Sequence, residues 1–341
     1  MAVLWSASQF PIAFSTSVTV LIVARVLLGI SEGPAWPVAV HACFKWFPDD
    51  KRTLPVSVIS QGPTLGLLVA GFSIPLVTAH WGWHANFIAL GILGIVWIAL
   101  WSIFGAEGSI DNKPVGNAPG DAVATRVSYG RLLTDPTVWG NFLVHFAAYW
   151  GLVLTLTWLP AYLQKGLGYD AVTAGRLFAL VVLIGAPINV GLSWWSQRML
   201  AKGASSRLAR GAFASIALAV AGVLFCLLMM LGLSNLQKVV IIAVASGLTP
   251  IIYSFGPAML GEVTPGSQRG GILALDNSIA SIAGILAPVV TGRLVEVATA
   301  GAGAAGYEQG FAVSGSLLIV GGVIGLLCLN PETSVRRLAA V

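Results

Sequence analysis

At the centre of the first long apolar run stands Arg25-Val-Leu-Leu-Gly29-Ile-Ser-Glu32-Gly-Pro34-Ala-Trp-Pro37, with an Arg and a Glu seven residues apart. A charged side chain at the middle of a membrane helix costs about 2.5–3.5 kcal/mol on insertion scales. Two helical turns put Arg25 and Glu32 on one face, with Gly29 between them. Pro34 and Pro37 remove backbone donors, and irregular backbone is tolerated in a membrane only beside protein or a water-filled cavity. The stretch predicts a helix that turns an Arg and a Glu toward a polar interior.

The composition is that of a membrane protein that crosses the bilayer several times. Of the 341 residues, 57% are hydrophobic and only 9% are charged, against about 25% charged in soluble domains. The chain has no phosphate-binding Gly-Lys-Ser/Thr loop, which argues against an ATP-driven pump, and no metal-ligand spacing or nucleic-acid signature. The three cysteines lie in apolar runs and are interpreted as packing residues. We therefore expect no cofactor, no metal, no nucleic-acid partner and no enzymatic activity.

Apolar segments long enough to cross a bilayer, or nearly so, number ten, and the first is short for a full span. They lie at about 2–15, 18–45, 53–79, 83–104, 136–164, 171–199, 207–233, 236–262, 266–298 and 307–330. The polar stretch 105–135, rich in Gly, Asp, Asn and Pro, is interpreted as a surface linker with an amphipathic turn near 129–133. The fold class is therefore all-α and polytopic.

The basic residues predict the orientation. Of the 18 Lys and Arg residues, 13 fall on one side of the alternating segments and three on the other. By the positive-inside rule the side with 13 is cytoplasmic, which also places both termini and the 105–135 linker there. We expect a multi-pass protein of the cell (inner) membrane, surrounded by lipid and monomeric.

An internal repeat relates the two parts of the chain. Pro48-Asp-Asp-Lys-Arg52 and Pro265-Gly-Ser-Gln-Arg269 follow long apolar segments and lie 217 positions apart. Parallel repeats are common in transporters. The motif follows the second segment of a group of four but the fourth segment of a group of six, so we expect two helices to be missing ahead of Met1. The expected domains are a truncated four-helix bundle, a cytoplasmic linker, a six-helix bundle and a cytoplasmic tail, at 1–104, 105–135, 136–330 and 331–341.

Several motifs together resemble the major facilitator superfamily, specifically its anion:cation symporter branch. They are Arg25-x3-Gly29-x2-Glu32-Gly-x3-Pro37, Trp46-Phe-Pro48-x3-Arg52, Gly82-Trp83-x3-Phe87, Thr157-Trp-Leu-Pro160-Ala-Tyr162, and Arg269-Gly with Asn277 and Ala287-Pro288. The resemblance covers nearly the whole chain. It implies a twelve-helix architecture that lacks its first two helices here, and alternating-access symport of protons with a small organic anion such as a sugar acid. The alternatives are an inactive membrane fragment and a proton-linked exporter.

The resemblance implies roles for residues of the first bundle. Glu32 matches the usual protonation site of the branch, and the alternative is a structural ion pair with Arg25. Arg25 offers a fork for a substrate carboxylate, and the alternatives are gating or a side chain that reaches the membrane surface. Gln61 matches a substrate contact of the branch, and the alternative is a hydrogen bond between helices.

In the second bundle, His145 and Tyr149 lie four residues apart and so share a helix face. They are expected to line the substrate pocket, or His145 is a satisfied residue in a helix interface. The branch often carries two amides four residues apart on its eleventh helix, where this chain has Asn277 and Ser281, both expected to contact substrate. The neighbouring Asp276 is a second protonatable group or a solvated one.

The two repeated loops carry the remaining candidates, Arg52, Glu262 and Arg269. We expect these side chains to hold a cytoplasmic gate through ionic contacts. The alternative is solvated loop charge that only sets the topology.

Overall fold

The computed structural model describes residues 1–110, 127–230, 232–298 and 304–339, all helices, turns and loops without a strand. The helices, in chain order, are α1 (Ala2–Phe14), α2 (Val18–Glu32), α3 (Ala35–Phe44), α4 (Thr53–Ile59), α5 (Gln61–Trp81), α6 (His84–Phe104), α7 (Tyr129–Thr134), α8 (Pro136–Ala161), α9 (Ala171–Ala201), α10 (Phe213–Leu227), α11 (Asn235–Leu248), α12 (Ile252–Val263), α13 (Gly266–Ala298), α14 (Ala305–Cys328) and α15 (Pro331–Ala339).

Within these ranges, nine helical segments are long and apolar enough to cross a membrane. The tenth expected segment is α1, which has 13 residues and is about 20 Å long, against a hydrocarbon core of about 30 Å. The all-α, polytopic fold class is confirmed.

Two of the long helical segments are interrupted at positions that the internal repeat relates to each other. Helix α2 ends at Glu32, and two residues, Gly33 and Pro34, separate it from the start of α3 at Ala35. Helices α11 and α12 are likewise joined by a single 3₁₀ turn, Thr249–Ile251. The 217-residue offset found in the loop motifs carries Val18 and Ala35 onto Asn235 and Ile252, where α11 and α12 begin. The repeat therefore extends from the loops to the broken helices that precede them.

The described chain forms two compact units. Unit 1 comprises Met1–Trp46 and Gly62–Lys113, and unit 2 comprises Phe47–Gln61 and Pro114–Val341. In unit 1, α1 packs on α2 and α6. A Cβ added at Gly91 would lie 2.7 Å from the Phe10 ring, and one at Gly94 would lie 2.7 Å from the Cβ of Ser6. The α1–α6 contact therefore depends on these two glycines, as in many close helix pairs in lipid.

In unit 2, α8 packs against α13 and α14. Asn141 meets Asp276, a Cβ at Gly284 would lie 3.1 Å from Tyr149, and a Cβ at Gly292 would lie 3.3 Å from Trp158. Residue numbers rise together on both helices, so α8 and α13 run parallel in a fixed register.

Unit 2 also contains the segment that joins α3 to α5. Helix α4 packs against α9 and α12, so residues 47–61 group with unit 2 and not with the predicted 1–104 domain.

The expected linker at 105–135 is described only at its ends. Residues 111–126, which include Lys113 and Arg126 of the orientation count, lie outside the described residues. The turn expected near 129–133 is part of α7. The Gln268 amide pairs with the backbone N–H and C=O of Val127, at 3.1 and 2.7 Å, and so fixes the linker's end to α13.

Candidate functional site

In unit 1, α2 carries both charges of the opening stretch, as predicted. Their side chains are exposed within the described chain. The Arg25 guanidinium carbon lies 5.4 Å from the centre of the Phe87 ring, which is within range of a cation–π contact. No ion pair joins Arg25 to Glu32 among the described residues, so the structural pair considered as an alternative is not formed. Both side chains remain available to other groups.

Gln61 starts α5, and its amide is used locally. Its Nε2 donates to the Ser57 carbonyl at 2.9 Å and to the Ser60 hydroxyl at 3.1 Å. The first of these bonds satisfies a carbonyl near the point where α4 ends. The hydrogen bonds of this amide are therefore local, between the end of α4 and the start of α5.

In unit 2, a buried polar cluster joins α8 to α13. The Asp276 carboxylate accepts a hydrogen bond from Asn141 Nδ2 at 3.0 Å on one oxygen, and lies 2.7 Å from His145 Nδ1 on the other. Asn141, His145 and Asp276 are 0%, 1% and 2% exposed. The interpretation of Asp276 as a solvated group is wrong. A carboxylate this deeply buried requires such partners.

Two tyrosines complete the cluster. The His145 ring lies edge-on to the ring of Tyr253, from α12, at 5.0 Å between centres, and to Tyr149 at 6.4 Å. The predicted proximity of His145 and Tyr149 is confirmed. Gly256, one turn after Tyr253, leaves room for Asn141, because a Cβ there would lie 2.7 Å from Asn141 Oδ1. Helices α8, α12 and α13 thus meet at one polar site.

Asn277 and Ser281 lie beside this cluster on α13 and are partly buried. The Ser281 hydroxyl donates to the Asn277 carbonyl at 2.7 Å, a bond within the helix. Of these neighbouring polar residues, it is Asp276 whose side chain bonds to His145.

A second polar cluster lies at the end of unit 2 predicted to face the cytoplasm, and Arg210 is its centre. The Arg210 side chain is 1% exposed and forms an ion pair with Glu262. Its Nε donates to Thr53 Oγ1 at 3.0 Å, and its Nη2 donates to the Asp49 carbonyl at 2.5 Å. Glu262 also accepts from the Ser206 hydroxyl at 2.9 Å. One guanidinium therefore binds the repeated loop 47–53 to α12.

Two further gate candidates, Arg52 and Arg269, are buried. Arg52 pairs with Asp49 and donates from Nε to the Phe47 carbonyl at 3.1 Å, which closes the loop on itself. Arg52 and Arg269 are 2% and 7% exposed. The alternative that these arginines are solvated loop charges is wrong, because their side chains are removed from water.

Sequence reasoning missed Asn141, Tyr253 and Arg210. Asn141 could have been found, because Asn141, His145 and Tyr149 recur every fourth residue on α8. Arg210 was counted among the basic residues of the cytoplasmic loops. Its partners lie more than 50 residues away in the chain, and no local sequence pattern predicts them. No group of three or more His, Cys, Asp and Glu side chains suited to a metal ion occurs in the described part of the chain.

These features define a multi-pass helical membrane protein with polar side chains buried inside its spans. A family profile for the Major Facilitator Superfamily matches residues 1–223. The chain belongs to this superfamily, which is one of transporters and not of enzymes.

Curated relatives align with most of this chain. "Probable anion transporter 4, chloroplastic" of Oryza sativa subsp. japonica is 27% identical over 92% of the chain and 53% of its own length. "Probable sulfoacetate transporter" of Cupriavidus necator is 26% identical over 98% of the chain and 78% of its own length. The hexuronate transporter of Bacillus subtilis is 24% identical over 93% and 76%. The chain therefore spans between about half and four-fifths of the length of these relatives.

Among solved structures, the fucose:proton symporter of E. coli superimposes with a TM-score of 0.68. It is 12% identical, over 95% of this chain and 81% of the symporter. This likeness concerns the fold.

Proposed function

We propose that the protein is a secondary transporter that carries a small organic anion, a sugar acid or another carboxylate, together with a proton. The observation that carries the proposal is that relatives named for sulfoacetate and hexuronate transport align over 98% and 93% of the chain. The aligned region includes the charged face of α2 and the polar cluster of unit 2. Both substrate names denote organic anions, and Arg and His side chains suit carboxylates.

Glu32 is the proposed proton carrier. Its side chain has no hydrogen-bond or ion-pair partner among the described residues, so it is free to exchange a proton without breaking an internal contact. The proposed substrate-binding residues are Arg25, Gln61, His145, Tyr149, Asn277 and Ser281. Arg52, Glu262 and Arg269 belong to the cytoplasmic gate. The transport cycle is alternating access by the predicted bundles 1–104 and 136–330.

The proposed setting is the cell membrane, with both termini cytoplasmic and the chain monomeric. The split of 13 to three basic residues supports this orientation through the positive-inside rule. Because plant relatives are named as chloroplastic, the choice of the cell membrane over an organelle membrane is itself part of the proposal.

The test measures uptake of labelled hexuronate and sulfoacetate into proteoliposomes with an acidic exterior. A gradient of one pH unit supplies about 1.4 kcal/mol per proton, so electroneutral symport of one proton with the hexuronate monoanion gives about tenfold accumulation of hexuronate. We expect Glu32→Gln to abolish accumulation while exchange of labelled for unlabelled substrate continues. Unchanged pH-driven accumulation in Glu32→Gln would contradict the role of Glu32, and no uptake of either anion would contradict the substrate class.

Glu107→Gln is the matched control. Glu107 is in the same unit, forms a surface ion pair with Lys45 at 3.1 Å and is 73% exposed. The substitution makes the same chemical change outside the apolar helices, so accumulation should stay at the wild-type level.

A further inference from the structure

The His145–Asp276 pair of unit 2 has a hydrogen-bond arrangement that the roles above do not use. We propose that His145 binds a proton on Nε2 and that the resulting imidazolium holds the anionic group of the substrate within unit 2. This inference rests on the proposed transport of an organic anion, and adds a second proton-binding site on a different unit from Glu32.

The geometry fixes which ring nitrogen is free. An ionised Asp276 can only accept hydrogen bonds, so the hydrogen between Asp276 Oδ2 and His145 Nδ1, 2.7 Å apart, is assigned to the nitrogen. Nε2 of the neutral ring then carries a lone pair. This atom is buried and has no hydrogen-bond partner among the described residues. A buried polar atom left unpaired calls for an explanation, and proton or ligand binding is one.

The charge balance links the proton to the anion. With neutral His145, the cluster carries the single negative charge of Asp276, which repels an anion in a medium of low dielectric. A proton taken from water onto the Nε2 lone pair makes the cluster neutral overall. It also converts Nε2 from an acceptor to a charged donor, and such donors form the stronger hydrogen bonds to carboxylates. Protonation therefore favours anion binding, and by linkage the anion favours protonation.

Among the described residues, the rings in contact with His145 belong to two tyrosines, whose phenols can donate hydrogen bonds. They are Tyr253 from α12 and Tyr149 from its own helix, and Asp276 is the acidic residue that α13 contributes. The Tyr253 hydroxyl is buried without a hydrogen-bond partner in the described residues. A phenol can donate to a carboxylate or sulfonate without adding charge. Tyr253 is thus the second proposed donor to the anion.

The test follows the imidazole NMR signals of the full chain, labelled on histidine and held in detergent without a gradient. The chain has four histidines, so a variant with His41, His80 and His84 changed to Gln leaves only the signal of His145. The signal is followed at one fixed pH, because the nitrogen resonance of Nε2 distinguishes a ring nitrogen with a lone pair from a protonated one. Saturating hexuronate or sulfoacetate should increase the protonated fraction of His145, because by linkage the anion favours protonation.

Two substitutions separate this site from a merely structural pair. Tyr253→Phe should reduce the change that the anion causes in the His145 signal. Asp276→Asn should lower the protonated fraction reached with the anion, because the imidazolium loses its carboxylate partner. If either variant fails to fold, the variant that retains only His145 still decides the matter. A His145 signal that neither anion changes overturns the proposal.

The result is independent of Glu32. Loss of the proton role of Glu32 in the uptake assay would leave the response of the His145 signal to the anion unchanged, because no gradient or transport enters that measurement. Conversely, a silent His145 together with a defective Glu32→Gln would confine proton binding to unit 1.

Discussion

At the scale of single residues, the spacing in the sequence predicted which side chains share a helix face. It did not predict which side chains meet between helices. The four-residue interval predicted that His145 and Tyr149 share a face of α8, and their rings are in contact. The partner of His145 is Asp276, 131 residues away. The sequence left open whether that acid is solvated, because a helical pattern does not state which faces of two distant helices meet.

The space beside Asn141 gives a prediction at this scale. A Cβ at Gly256 would lie 2.7 Å from Asn141 Oδ1, so Gly256→Ala displaces the amide that satisfies Asp276. We expect overpacking to lower the free energy of unfolding by about 1–3 kcal/mol, measured by denaturation in detergent micelles.

Gly191→Ala is the control for that substitution. A Cβ at Gly191, inside α9, meets no atom within 4 Å, so alanine should be neutral or stabilise the protein by up to about 1 kcal/mol. Equal stability of the two variants would show that Asn141 is not held in the position described.

At the scale of helices, the break after α2 was predictable and the packing of the loops was not. Gly33 and Pro34 end α2 through local backbone chemistry that a sequence reveals directly. Arg210 appeared to be one of several basic residues in a loop, yet its side chain is buried against Thr53, Glu262 and the backbone of Asp49. Burial of a cation depends on partners brought by three separate segments.

The Arg210 cluster gives a prediction for these elements. Arg210→Gln removes the cation and leaves Glu262 without its ion pair. Removing one member of a buried pair costs about 3–5 kcal/mol, so we expect a loss near the lower limit, since Glu262 is 16% exposed. The measurements are the unfolding free energy and the rate of proteolysis within residues 47–61, which should rise as the loop is released.

The neighbouring Arg207 provides the control for the loss of charge. Its side chain is exposed, so Arg207→Gln should change stability by no more than about 0.5 kcal/mol. A similar, small effect of both substitutions would mean that Arg210 does not hold the loop.

At the scale of the whole chain, composition alone was sufficient for the fold class. A bilayer requires backbone groups to be satisfied within helices or closed barrels, so long apolar segments specify helices before any packing is known. The nine long spans found in the described ranges and the short α1 follow from that constraint. The grouping of residues 47–61 with unit 2 does not follow from it, because it depends on side-chain contacts such as those of Arg210.

The distribution of charge predicts the orientation of the whole chain in the membrane, and labelling at the two ends of α9 can test it. Its 31 residues are about 46 Å long, and the exposed Lys165 and Lys202 flank its two ends. In a background with Cys43, Cys226 and Cys328 replaced by serine, a membrane-impermeant maleimide should label Lys165→Cys in intact cells. Lys202→Cys should react only after permeabilisation, because the predicted cytoplasmic side carries most of the basic residues. The reverse pattern would invert the orientation of the whole chain and place the Arg210 cluster at the outer surface.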